Sequence, residues 1–579
     1  MRVAGMSALC GLALATSAHA DVSIIGTKHN LSTSGPGPVK ALTESQICIF
    51  CHIPHHGLGG AIANRPDSTA TYQPYNSPTL ASQPPGAPTG ASRICLSCHD
   101  GTIAIGQTLA SGTIGMANVG PGGTLAGGSN VGTDLRKSHP VSFRPGLSSE
   151  LRAPPPGDPV RLDAAGAVQC TSCHDPHRDL VDPVQGKFLV KSNRASALCL
   201  SCHAMAAWTA NNASHQSSSK FYDATLGATT PYTTVGDNGC ESCHRPHAAA
   251  TDTLLMKGAG AQVCLQCHNG RVADKNLSAE LNKPYPHGPF ASDPNVHSAA
   301  EGPTSAAHPL PETRSTQARH SECADCHNSH ASYALAGNAP NVPGSLFGVW
   351  GIDRTGSKVS PARYEYEICF KCHADSANKP SYPQPPETVA RAVPESNLRR
   401  QFDLTAASYH PIEGPGRNGD VPSLQSPWTV ASFLYCTDCH ASDGGPGAGG
   451  NGLRGPHASS FRHVLERNLI TADNTIESPD AYALCYKCHQ RPVLLSDSSG
   501  FKLHKSHVVD DHAPCTACHA WHGVSLMQGN EINNAHLIDF DVSIVLPSQS
   551  GQRQYATLGS KHGTCSLACH AHNHANSSY

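Results

Sequence analysis

The sequence predicts an irregular, coil-rich chain with short helices and minimal sheet, whose core is supplied by groups other than its own side chains. Three observations lead there. Glycine (53) and proline (45) are frequent among the 579 residues, and both interrupt helices and strands. Aromatic residues are 5% and mean hydropathy is −0.32, so the chain has little apolar mass of its own to bury. Cysteine is patterned: a Cys-x-x-Cys-His run occurs eleven times, and a twelfth copy carries one extra residue between the thiols.

The chain opens with Arg2, a short apolar run and Ala18-His19-Ala20 before Asp21. Residues 1–20 therefore read as a secretory signal peptide cleaved after Ala20. A lipoprotein signal at Cys10 fits less well, because the apolar run before it is too short and Leu9 is bulky. No later stretch approaches the roughly 18 apolar residues that cross a bilayer, so the mature chain is expected to be exported, with no transmembrane segment. Residues 104–133 (Gly, Ala, Ser, Thr) and the Gly-rich 441–455 are expected to be loops. The Pro-rich runs 74–88 and 380–394 are expected to be extended, and 541–547 a short strand.

The repeated motif carries the chemistry. Its copies are Cys48/Cys51/His52, Cys95/Cys98/His99, Cys170/Cys173/His174, Cys199/Cys202/His203, Cys240/Cys243/His244 and Cys264/Cys267/His268. They continue with Cys323/Cys326/His327, Cys369/Cys372/His373, Cys436/Cys439/His440, Cys485/Cys488/His489, Cys515/Cys518/His519 and the widened Cys565/Cys569/His570. Two thiols followed at once by a histidine are the attachment signature of c-type haem, the thiols bonding the macrocycle and the His ligating iron. The copies use 24 of 25 cysteines, leaving only Cys10. Zinc sites and disulfide frameworks also use paired cysteines, but neither requires a His after every pair. Twelve covalent haems c over 559 mature residues leave about 47 residues each, so the porphyrins are expected to form most of the core. Folding should then depend on them.

The copies alternate. Odd-numbered ones continue to a second His three residues on: His55, His177, His247, His330 and His522. Even-numbered ones sit among apolar residues, as in Ile94-Cys95-Leu96 and Ile368-Cys369-Phe370, and each pair has a further His upstream: His29, His139, His215, His308 or His320, His410 and His507. The ninth copy lacks the downstream His, so His457 or His463 is expected to fill that role. The period is thus one two-motif unit used six times, over residues 21–120, 121–210, 211–285, 286–385, 386–495 and 496–579.

This alternation resembles the doubled-CxxCH family of multihaem cytochromes exported by metal-reducing anaerobic bacteria. Tyr409-His410-Pro411, Gly455-Pro456-His457, Cys369-Phe-Lys-Cys372-His373 and the final Cys-x-x-x-Cys-His also fit it. The resemblance implies an extracellular, cell-surface or periplasmic electron carrier, working with other redox proteins or extracellular acceptors. Some relatives polymerise, and there a His placed like His55 ligates a haem of the next subunit; a His55→Ala protein that still forms filaments would exclude that role.

Beyond the proximal ligands, 23 mature histidines remain against only four mature methionines (Met116, Met205, Met256, Met527). Bis-His ligation is therefore expected, and with it low potentials, since Met/His ligation raises them. His177 lies three residues from His174, a reach of about 10 Å at full extension. That is too short to round its own porphyrin comfortably, so His177, His55 and His247 are expected to ligate neighbouring haems. The leading expectation for function is electron conduction. The alternative is a reductase of nitrite, hydroxylamine or a sulfur oxyanion, which needs one iron with an open position; no Cys-x-x-Cys-Lys marks such a site. Formal charge is −3 and two propionates per haem add to it, so nucleic acid is not an expected partner.

Overall fold

The computed structural model describes residues 23–53, 63–78, 80, 82–210, 213–222, 231–288, 310–311, 321–377, 389–559 and 561–579. The expected signal peptide, His55, His308, His320 and most of the run 380–394 lie outside them. The chain forms two compact units, residues 1–76 with 81–202, and residues 77–80 with 203–579. Both are coil with short helices. Among the described residues the longest helices are Gly90–His99 and Glu365–His373, and no helix is long and apolar enough to cross a membrane.

In the first unit, β1 (Lys40–Ala41) pairs antiparallel with β2 (Met116–Ala117). The helix Gly90–His99 buries Leu96, which explains the apolar setting of the second motif. Ser92 ties this helix to the third motif: its hydroxyl donates to Gln169 Oε1 (2.6 Å) and accepts the Cys170 backbone N–H (3.0 Å). The 104–133 loop is pinned by Arg65, whose buried guanidinium donates to the carbonyls of Ser97 (2.7 Å), Ala104 (3.0 Å), Ile105 (2.7 Å) and Gln107 (2.5 Å). One long side chain thus satisfies backbone acceptors that an irregular loop leaves over.

The second unit packs its largest apolar cluster around the helix Glu365–His373: Ile352, Tyr366, Phe370, Ala374, Phe402, Ala406, Tyr409 and Ile412. Lys371 is buried on the same helix, its ammonium 4.8 Å from the Trp350 ring centroid and donating to the Asp325 carbonyl. Three two-residue antiparallel ladders tie its segments together: β3 (Tyr285–Pro286) with β7 (Ala458–Ser459), β4 (Gly351–Ile352) with β5 (Lys358–Val359), and β6 (Ser408–Tyr409) with β8 (Gly523–Val524). The strand expected at 541–547 does not form. Asp541 Oδ1 instead accepts from the Ser543 N–H (2.9 Å), turning the chain, and only isolated bridges remain at Asp541 and Leu546. The longest strands lie further on, β9 (Gln554–Gly559), β10 (His562–Cys569) and β11 (His572–Ser578), ordered β11-β10-β9 and antiparallel.

Candidate haem-attachment sites

In each of the first eleven motifs the first thiol lies on a helical turn, and residues three apart on such a turn share a face. The His backbone N–H returns to the carbonyl of the first cysteine, at 2.9 Å for His52, 3.0 Å for His174, 2.8 Å for His244 and 3.1 Å for His519. The turn therefore offers both thiols and the following imidazole together. Pro176 and Pro246 stop the odd-numbered turns soon after, and His174 and His327 are already extended.

A second element then fixes the ring. Nδ1 of His174, His244, His440 and His519 meets the carbonyls of Lys187 (2.7 Å), Leu254 (2.8 Å), His463 (2.9 Å) and His536 (3.0 Å). Each of these residues opens a pair with positive φ: Lys187-Phe188, Leu254-Leu255, His463-Val464 and His536-Leu537. A carbonyl can only accept, so Nδ1 carries the proton and Nε2 keeps its lone pair for a metal. His99 and His327 use Ser129 O (2.8 Å) and Ser345 O (2.9 Å) in the same way. Sequence reasoning missed these supporting carbonyls; the signal was an apolar stretch after each odd motif, as in Phe188-Leu189-Val190, Leu254-Leu255-Met256 and Leu537-Ile538.

Opposite the proximal rings stand other histidines at a uniform spacing. Ring centroids are 6.2 Å apart for His52–His177, 6.2 Å for His99–His29, 6.1 Å for His244–His330 and 6.1 Å for His268–His215. They are 6.0 Å apart for His327–His457, 5.9 Å for His373–His287, 6.0 Å for His440–His522 and 6.2 Å for His519–His504. Rings in van der Waals contact would stack closer. Two imidazoles on opposite sides of one metal, each about 2.0 Å from it with the ring centre about 1.1 Å further, stand roughly 6.2 Å apart. The donors present thus fit a bis-imidazole iron. No cluster of three or more His, Cys, Asp or Glu able to hold a metal occurs among the described residues.

Burial favours the neutral form, as ligation requires, at several of the histidines near the motifs. It pushes His330, His457, His489, His504 and His519 down to about 4, and a neighbouring ring adds to the effect at His330 (His244), His457 (His327), His489 (His410) and His519 (His504). His139 is half-buried with Nδ1 on Pro140 O (3.0 Å) and its pKa is likewise lowered by desolvation. His247 lies on exposed backbone.

Cys199 and Cys202 stay with the first unit, where the Cys202 carbonyl accepts the Arg152 N–H (2.8 Å) and the Leu200 carbonyl accepts its guanidinium (2.7 Å). His203 begins the second unit, half-buried after the turn Cys199–Ser201.

Several placements differ from the sequence reading. His287, the residue after β3, faces His373, while the expected candidates His308 and His320 lie outside the described residues; the Tyr285-Pro286-His287 setting resembles Gly455-Pro456-His457 closely enough to have been found. Between His457 and His463, His457 faces a proximal ring while His463 lends only its carbonyl. His504, absent from the sequence-based candidates, faces His519. His507 faces His574 (6.1 Å) rather than His570.

Two kinds of joint connect neighbouring motifs. In the first, distal ligands touch through backbone. His29 Nδ1 meets Pro176 O (2.9 Å) beside His177, His215 Nδ1 meets Ser329 O (3.1 Å) beside His330, and the N–H groups of His287 and His410 donate to the carbonyls of His457 and His522 (2.9 Å each). The β3–β7 and β6–β8 ladders build the last two. In the second, first thiols lie near one another: Cys95 and Cys170, Cys264 and Cys323, Cys369 and Cys436, and Cys485 and Cys515. The first kind joins motifs one and two, five and six, seven and eight, nine and ten; the second joins two and three, six and seven, eight and nine, ten and eleven.

Residues 163–207 and 233–273 match the family model described as the doubled CXXCH motif. No curated protein matches the chain. The matched segments hold the third to sixth motifs, whose turns, oriented imidazoles and facing rings recur along the rest of the chain, and the protein is on these grounds a multihaem c-type cytochrome that binds haem covalently.

Proposed function

We propose that the chain is an exported dodecahaem conduit, passing electrons along bis-His haems ordered in space as their motifs are in sequence. The observation that supports this most is the alternation of the two joints. Where present, each makes one motif's haem a neighbour of the next, through shared distal-histidine backbone or nearby attachment thiols, and electron hopping falls steeply with the gap between macrocycles. The haem supplies the electron-accepting iron. The chain's own residues attach it and orient Nε2 toward it. Two imidazoles per iron leave no position for substrate and imply low potentials. The natural donors and acceptors of such a chain are other redox proteins and extracellular electron acceptors.

His519 faces His504 of the same chain, so the reading needs no subunit-bridging ligand at the eleventh motif. Intact mass of the purified protein should exceed the mature polypeptide by twelve porphyrins. Reductive titration with stopped-flow mixing should show the haems re-equilibrating with one another faster than with a small oxidant. Isolated haems that reoxidise independently would refute conduction, and a high-spin iron that turns over nitrite would favour a reductase.

A further inference from the structure

The twelfth motif is built unlike the rest. Cys565 and Cys569 lie on strand β10 rather than on a helical turn, with a register irregularity between Cys565 and Leu567. The next residue, His570, has φ +47° at the turn into β11. Its Nε2, the atom the other proximal histidines keep for iron, sits 2.7 Å from Asp473 Oδ1. A carboxylate in that place takes an N–H from Nε2, so this nitrogen has no lone pair aimed at a metal.

Another ring stands where a ligand should. His574, on β11 opposite Leu567, has its centroid 6.1 Å from that of His507, with the planes 26° apart. That is the spacing of the other facing pairs. His507 is oriented as they are, its Nδ1 on the Leu503 carbonyl (2.8 Å) with Nε2 left over. A cavity lined by Cys569, His507, His570, His572, His574 and Asp511 lies between them.

We propose that the iron of the haem attached at the twelfth motif is closed by His507 and His574, four residues beyond the expected His570, which Asp473 holds aside. The reason is geometric. A helical turn returns the histidine after the second thiol to the thiol face, whereas along a strand successive side chains point to opposite faces. A residue on the partner strand can reach that face when the following residue cannot. This assignment rests on haem being bound at the twelfth motif, which the wild-type mass tests separately from the choice of ligand.

The test compares His574→Ala, His574→Met and His570→Ala in the full-length haem-loaded protein, by intact mass and low-temperature electron paramagnetic resonance. His574→Ala should convert one iron from low to high spin, or lose one porphyrin, and His574→Met should raise the potential of one haem, since methionine opposite histidine does so. His570→Ala should leave every iron low-spin. Low-spin spectra and unchanged mass in both His574 variants would overturn the assignment, as would a high-spin iron appearing only in His570→Ala. A wild-type mass with no porphyrin at Cys565/Cys569 would overturn it together with the count of twelve.

Discussion

Eleven attachment motifs are helical turns and one is a strand, and the contrast shows what the turn contributes. Thiols three residues apart on a helix have Cβ atoms about 5–6 Å apart, and the next residue stays beside them. Four residues along a strand span about 13 Å, and the next side chain faces away. At the turns, sequence adjacency and spatial adjacency coincide. On the strand they separate, and the ring facing His507 comes from across the hairpin.

The largest expected difference is in folding. The eighth motif sits in the main cluster of the second unit, and its Phe370 is fully buried. Replacing Cys369 and Cys372 by Ala should cost one porphyrin by mass and the cooperative melting of that unit. The same change at Cys565 and Cys569 should cost one porphyrin and shift that melt little. Equal losses of stability would mean the terminal haem is as central as the internal ones. Within the same cluster Phe370→Ala should cost about 3–5 kcal/mol in denaturant unfolding.

A smaller effect is set by pH. Burial pushes the Glu413 carboxyl up to about 8, with Asp403 adding to it and Arg354 and Arg399 opposing, and its Oε1 is a buried acceptor without a hydrogen-bond partner among the described residues. A carboxyl that holds its proton more tightly when folded favours folding while protonated. That contribution is lost as pH climbs from the ordinary value of about 4.5 through 8, on the order of 1–3 kcal/mol. Denaturation midpoints should fall over this window in the wild type and flatten in Glu413→Gln. The smallest effect separates two histidines near the ninth motif. His457→Ala should produce a high-spin signal, whereas His463→Gly should leave the spectrum unchanged and move stability by no more than about 1 kcal/mol, because His463 offers only its carbonyl at φ +62°.

The attachment residues were legible because thioether chemistry ties them to a five-residue pattern, and the coil-rich class followed from glycine and proline. The histidines that face the proximal rings were legible only where a repeated offset marks them. His177, His330 and His522 sit at such offsets and face the rings of His52, His244 and His440, one odd motif back. His287 and His504 have no fixed offset, since two-residue ladders and loops from elsewhere bring them into place. The supporting carbonyls depend on left-handed pairs such as Leu254-Leu255, which residue types alone do not announce. The strands β9 to β11 were missed because Gly, Asn and Ser within them are poor strand formers; what holds them is packing of Tyr555 and Leu567 against Phe540, Ile544 and Val545.

Electron microscopy of the haem-loaded protein tests the central claim most directly. The account predicts an iron midway between the rings of each facing pair, with the porphyrins of motifs linked by the two joints nearest one another. Porphyrins scattered in an order unrelated to the sequence, or irons lying outside the His–His pairs, would contradict it.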